Sequence, residues 1–250
     1  MALLATIALG FSVGLLTGST GIGGGSLLAP ALIILNVNPF ISVGTDLFVS
    51  ALTKAVGAYV HHRSGTLYRE ILPALCIGGC VGALAGAAGL TLFKDGVDPI
   101  VAQKVLRRAI GVVLFMCAIA MALPVARRFC RERRAPLPAT GVAGSLIGLI
   151  TTVTGIGVGS LSVPTLQFLT QGSSMPAIVG SSLVFGMVVT LIGAGAHATM
   201  HNIDYRLGAI LLLGAVPGVA LGGFVSIRAA ALLRRIVIVL LVASGLRLVI

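Results

Sequence analysis

Eight apolar runs, each close to the thickness of a lipid bilayer or longer, fill almost the whole chain. They lie at approximately Leu3–Leu35, Pro39–Val60, Ile71–Phe93, Ala109–Ala126, Leu137–Leu169, Pro176–Met200, Leu207–Ile227 and Ala229–Ile250. A membrane helix needs about 20 such residues, so the runs predict an all-α, polytopic integral membrane protein with seven to eight membrane helices. Only 9% of the residues are charged and 57% are hydrophobic, whereas a soluble domain keeps roughly a quarter of its residues charged to face water. Most of the outer surface must therefore face lipid. The net charge of +11 is no nucleic-acid footprint, because the arginines cluster between apolar runs, where basic residues set membrane orientation. The first run has no basic leader and no cleavage-like break, so it is expected to be retained. The cysteines (Cys76, Cys80, Cys117, Cys130) have neither metal-ligand nor redox spacing and read as packing residues.

The chain repeats itself. Thr20-Gly-Ile-Gly-Gly-Gly-Ser26 aligns with Thr154-Gly-Ile-Gly-Val-Gly-Ser160, and Pro30 with Pro164, at an offset of 134. At an offset of 136, Val43-Gly44-Thr45 matches Val179-Gly180-Ser181, His61 falls on His197, and Gly78, Gly82, Gly86 fall on Gly214, Gly218, Gly222. One such match could be chance; this ordered series is a duplication. The organisation is a first membrane repeat over 1–126, a basic cytoplasmic linker over 127–136 and a second repeat over 137–250. The linker holds Arg127, Arg128, Arg131, Arg133 and Arg134, a strong cytoplasmic marker. If the first segment of each repeat spans once, the four-segment repeats run parallel; if it dips in and returns, they are inverted. Inversion places Arg228, Arg234 and Arg235 inside with the linker while Arg206 moves outside, which favours it. Duplicated helical halves are the usual construction of secondary transporters, with the substrate held near the midplane where the repeats meet.

Two glycine clusters carry the chemistry. The first and fifth runs are too long for one ordinary span, and each has a glycine cluster in its middle that should break the helix. Broken backbone within a bilayer is tolerated only inside protein or along a watery cavity. The break also creates a new helix N-terminus, whose free N–H groups suit an anion. The expected binding residues are Thr20, Gly21, Gly23, Gly24, Gly25 and Ser26, and their partners Thr154, Gly155, Gly157, Gly159 and Ser160. The glycines at four-residue spacing in the third and seventh runs read instead as close helix packing.

Lys54 and Asp46 both lie in the second run, where a charge at depth costs at least about 2.5–3.5 kcal/mol on insertion scales. Eight residues separate them, two turns and about 80° apart on a helix, so a direct pair is not expected and Lys54 is available to meet an anion. The blander reading has Lys54 snorkel or neutralise a helix end. Asp46, nearer a membrane face, could cap a helix or relay a proton. His61 and His197 occupy equivalent positions near segment ends; they are proton-coupling candidates or helix-end residues bonded to backbone. No His/Cys/carboxylate grouping has metal-site spacing, no nucleophile–base–orienter motif indicates an enzyme, and nothing calls for a cofactor.

At these residues the chain resembles the sulfite exporter TauE/SafE family. The resemblance rests on the Thr20-Gly-Ile-Gly-Gly-Gly cluster leading to Pro30, Val43-Gly-Thr-Asp-Leu47, His61-His62-Arg63-x-Gly65, and Asn202-Ile-Asp-Tyr205 in the second copy. It covers nearly the whole chain. It implies a permease of the inner or plasma membrane for sulfur-containing anions such as sulfite or organosulfonates. Two positions depart: Tyr68 stands where the first repeat of such proteins commonly has an acidic residue, and Val158 replaces the middle glycine of the second cluster. The expectation is a secondary transporter of a small anion, with proton or cation coupling and a homodimer as open partners. A passive anion channel and a non-transporting membrane protein are the alternatives.

Overall fold

The computed structural model describes residues 3–20, 25–65, 67–122, 137–170, 174–222 and 227–249. Ten α-helices follow in chain order: α1 (Leu3–Thr20), α2 (Gly25–Ile34), α3 (Pro39–Arg63), α4 (Leu72–Gly96), α5 (Pro99–Ala122), α6 (Leu137–Thr154), α7 (Val158–Leu169), α8 (Met175–Thr199), α9 (Tyr205–Gly222) and α10 (Ile227–Val249). Prolines open many of them, where the missing N–H costs nothing. Asn38 caps α3, its Oδ1 accepting from Phe40 N at 2.9 Å just behind Pro39. Asp98 Oδ1 does the same for Ile100 N of α5 at 2.8 Å.

The two overlong runs each fold as two helices, α1 with α2 and α6 with α7. Helix α2 packs on α3 and α10, and α7 on α8, α5 and α6; α7 runs back along α8, with Val158 at Gly186 and Ser162 at Ser182. Among the described residues six helices are long and apolar enough to cross a membrane, namely α3, α4, α5, α6, α8 and α9. The seven or eight expected exceed this for two reasons. The apolar stretch Leu3–Ser19 is short, and α10 carries Arg228, Arg234, Arg235 and Arg247. The basic linker and the core of the first glycine cluster, residues 21–24, lie outside the described residues.

The halves exchange partners rather than packing side by side. Helix α1 lies along α9, and α6 along α4, the counterpart pair. A Cβ on Gly10, Gly14 or Gly18 would meet the carbonyls of Leu211, Ala215 or Val219, while one on Gly214 or Gly218 would meet those of Ile7 or Phe11. The other seam repeats this, with Gly78 and Gly82 against the carbonyls of Gly141 and Ser145, and Gly144 and Gly148 against those of Leu75 and Gly79. Residue numbers rise together across both seams, so each pair runs parallel. This is the close-packing role that four-residue glycine spacing predicts.

Helices α3 and α8 form the centre, 72% and 61% buried against 39–44% for the other four spans. They run antiparallel: Gly44 faces His197, Leu47 faces Gly193, Lys54 faces Gly186 and Gly57 faces Leu183. Two matching hydrogen bonds tie their opposite ends. Asp204 N–H donates to Thr45 Oγ1 at 3.0 Å, and Tyr68 N–H donates to Ser181 Oγ at 2.8 Å. Thr45 and Ser181 are the residues that the 136-residue offset pairs, and so are Tyr68 and Asp204. The acidic residue absent at Tyr68 is thus not needed for this bond, which uses the backbone.

Candidate functional site

The second glycine cluster is a built break. Gly155 N–H donates to Thr151 O at 2.7 Å and ends α6. Gly155 and Gly157 then take φ of +75° and +124°, a region that favours glycine. Thr154 holds the bend from its own side chain, donating to Ile150 O at 2.7 Å and accepting from Ile156 N at 3.2 Å. Helix α7 restarts at Gly157, whose carbonyl accepts from Leu161 N at 2.7 Å and which brings no side-chain cap. The first-turn N–H groups of Val158, Gly159 and Ser160 have no intrahelical acceptor, and all three residues are buried. A partial positive charge is thereby fixed inside the protein.

Helix α3 brings its two charges to this break. The Lys54 stem crosses Gly186 of α8, where a Cβ would stand 2.7 Å from Lys54 Cδ and 2.5 Å from Val158 Cγ1. Lys54 is therefore beside the first residue of α7. It is 2% exposed and, among the described residues, makes no hydrogen bond or contact ion pair. Among the described residues Asp46 caps no helix, and it is fully buried. Its Oδ1 accepts from Ser50 Oγ at 3.4 Å, and its Oδ2 lies 3.2 Å from where a Gly155 Cβ would be. Asp46 and Lys54 make no contact pair, as two turns of separation predict, yet each feels the other's charge. Opposite charges from one helix thus bracket the break in another, 101 residues or more along the chain.

Four buried side-chain atoms have no hydrogen-bond partner among the described residues: Asp46 Oδ2, Thr151 Oγ1, Thr152 Oγ1 and His197 Nδ1. All belong to this region. Thr151 Oγ1 lies 3.3 Å from a Cβ built on Gly157, and Thr152 Oγ1 lies 3.4 Å from one built on Gly193. His197 Nε2 is 3.1 Å from Thr152 O, one of the last carbonyls of α6. A buried polar atom without a partner costs about 1–3 kcal/mol, so these four single the region out as the candidate site.

The structure brings Asp46, Lys54, His197 and the Gly155–Ser160 stretch together. Two expected hydroxyls are already engaged, Thr154 within the bend and Ser160, whose Oγ donates to Cys117 Sγ at 3.0 Å. His197 is bonded to backbone, yet it is buried rather than placed at a surface. His61 is only half-buried on the far part of α3. In the first cluster, Ser26 is buried in α2 and Gly25 begins that helix, Thr20 ends α1, and Gly21, Gly23 and Gly24 lie outside the described residues. Sequence reasoning missed Thr151 and Thr152; adjacent threonines just before a helix break were the available signal.

Two cavities flank the cluster without reaching it. One of about 620 Å³ opens beyond Lys54, lined by Ala55, Ala58, His62 and Arg69 among others. One of about 500 Å³ lies at the other end of α3, lined by Asn38, Phe40, Lys94 and Asn202 among others. Neither is lined by Asp46 or Lys54.

The family profile described as sulfite exporter TauE/SafE matches residues 6–248. The chain is 32% identical to the probable membrane transporter protein YjnA of Bacillus subtilis, over 97% of this chain and 98% of that one. It is 30% identical to a probable membrane transporter protein of Xylella fastidiosa, over 92% and 87% of the two chains. A more distant archaeal relative, the probable membrane transporter protein MJ0441 of Methanocaldococcus jannaschii, is 24% identical over 84% and 80%. No solved structure matches.

Proposed function

The chain belongs to the sulfite exporter TauE/SafE family, and we propose that it is a secondary transporter that moves a small sulfur-containing anion, such as sulfite or an organosulfonate, across the plasma membrane. The observation that carries this reading is the buried N-terminus of α7 with the Lys54 ammonium stem laid against its first residue. Backbone N–H groups and a fixed cation at one buried point suit a compact oxyanion, and the low dielectric strengthens both. The break is held by glycine backbone and the Thr154 hydroxyl, so the donors are preorganised. The antiparallel course of the counterparts α3 and α8 supports inverted repeats, since equivalent helices that run in opposite directions are related by an axis across them.

A passive channel is the second reading, and the kinetics of flux separate the two. The test is flux of labelled sulfite, with sulfate, sulfoacetate and carboxylates as competitors, into liposomes holding the purified protein. A carrier gives saturable flux. Lys54→Ala is expected to lower flux at low anion concentration about 100-fold, the equivalent of roughly 2.7 kcal/mol of anion binding. Unsaturable, voltage-driven conductance would sink the carrier reading, and full flux in the variant would remove Lys54 from the site.

A further inference from the structure

The break has two ends, and they are chemically opposite. The α7 end offers N–H donors and lies beside an ammonium. The α6 end offers electron pairs. Asp46 Oδ2 is a carboxylate oxygen, Thr151 and Thr152 present hydroxyl oxygens, and all three are buried without a partner among the described residues. His197 Nε2 donates to Thr152 O at 3.1 Å, which leaves Nδ1 as a bare lone pair, likewise unpartnered. The last carbonyls of α6 add the negative end of its dipole. An anion would be repelled here. A cation suits such electron-pair donors.

Thr151 is the telling member. Its counterpart Thr17 bonds back to Val13 O at 2.8 Å, the usual recourse of a threonine inside a helix. Thr151 does not, and its hydroxyl faces Gly157 of the break instead. A lone proton would need only one acceptor, whereas several oxygens from two helices suit an ion that takes many oxygens at once. A single carboxylate with Lys54 nearby is too little negative charge for a divalent ion. A transition metal is disfavoured too, since the described residues contain no group of three or more His, Cys, Asp or Glu placed to hold one.

We propose that the α6 end of the break binds a sodium ion, held by the Asp46 carboxylate, the Thr151 hydroxyl and the carbonyls that close α6. This ion is the coupling partner of the anion beside Lys54, so the inference rests on the anion reading above. Unwound helix pairs elsewhere divide in this way, with cations at the C-terminal end and anionic groups at the N-terminal end.

The test is binding of ²²Na⁺ alone to the purified full-length chain, at fixed pH and with choline holding ionic strength constant. Saturable binding that a 100-fold excess of K⁺ does not displace is the expected result. Asp46→Asn and the near-isosteric Thr151→Val should each weaken it at least tenfold, while Lys54→Ala should keep or tighten it by removing a repelling charge. A Na⁺ gradient should raise sulfite uptake into liposomes about tenfold. Folded wild-type protein that binds no ²²Na⁺ saturably, or whose sulfite flux follows a pH gradient and ignores Na⁺, would overturn the sodium site and leave anion transport standing. Saturable Na⁺ binding with no flux of any sulfur anion would instead overturn the anion reading.

Discussion

Helices α3 and α8 are counterparts from the two halves, packed antiparallel at the centre, yet only one of them is charged. Where α3 has Asp46, α8 has Ser182, whose hydroxyl is paired with Ser162 Oγ at 2.6 Å. Where α3 has Lys54, α8 has Thr190, which donates to Gly186 O at 2.7 Å. The α8 hydroxyls that stand for the two charges are thus consumed inside the protein, while the charges of α3 lie at the break between α6 and α7. The asymmetry runs the other way in the broken helices, where Thr17 is satisfied and Thr151 is not. One half supplies the charges and the other supplies the break. Duplication makes the frame, and divergence leaves one charged site in it rather than two.

The frame itself should behave symmetrically, and that is the comparison's most severe test. Gly82 and Gly218 are equivalent, each facing a backbone carbonyl of the partner helix, Ser145 and Phe11 respectively. A carbonyl cannot rotate away as a side chain can, so even alanine must push two helices apart. Gly82→Ala and Gly218→Ala are each expected to cost at least about 3 kcal/mol, seen as loss of the monodisperse folded peak and a fall in Tm in detergent. Gly89→Ala on α4, with nothing within 4 Å of its Cβ, should be neutral or slightly favourable. A large loss at only one of the two seams would break the symmetry of the frame.

The charged centre should respond in the opposite sense. Copying α8 onto α3 with the double variant Asp46→Ser, Lys54→Thr removes two buried charges that make no contact pair. Replacing buried ions by neutral groups is often neutral or stabilising by about 1–4 kcal/mol. The double variant is therefore expected to unfold at higher temperature than the wild type while losing anion flux. If it is instead less stable, the two charges hold the fold together and the division between frame and site fails.

Much of this was legible in the residues. The offsets gave the counterparts, the overlong runs gave the broken helices, and the four-residue glycine spacing gave the seams. Lys54 was also correctly read as unpaired by contact, from helical geometry alone. The pairing of α1 with α9 and of α4 with α6 was not legible, because an offset says which helices are equivalent and not which ones touch. Nor was the meeting of Asp46 with Gly155, which depends on that exchange of partners. Thr151 and Thr152 were hidden for a different reason. A threonine in an apolar helix ordinarily bonds to its own backbone, and only the geometry at the break shows that these two do not. Thr154 was read as a substrate donor, whereas its hydroxyl shapes the bend.

The turns that follow α3 and α8 carry the comparison to its smallest scale. Gly65 and His201 occupy equivalent positions, and both adopt the left-handed conformation, with φ of +66° and +56°. The backbone has kept its shape where the residue has changed. A non-glycine residue there carries a strain of about 1–2 kcal/mol, and nothing lies within 4 Å of a Cβ built on Gly65. Gly65→Ala should therefore cost about 1 kcal/mol through backbone strain alone. His201→Gly should relieve the same strain, but glycine also frees the unfolded chain, which offsets part of the gain. The expected result is a net stabilisation of about 0.5 kcal/mol, read as a small rise in Tm. His201 is exposed and followed by Asn202, whose Oδ1 accepts from Lys94 Nζ at 3.1 Å, so that bond reports whether the turn has kept its place. A His201→Gly variant that loses stability would mean that the histidine side chain holds the turn, and that the two ends of the central helix pair are not built alike.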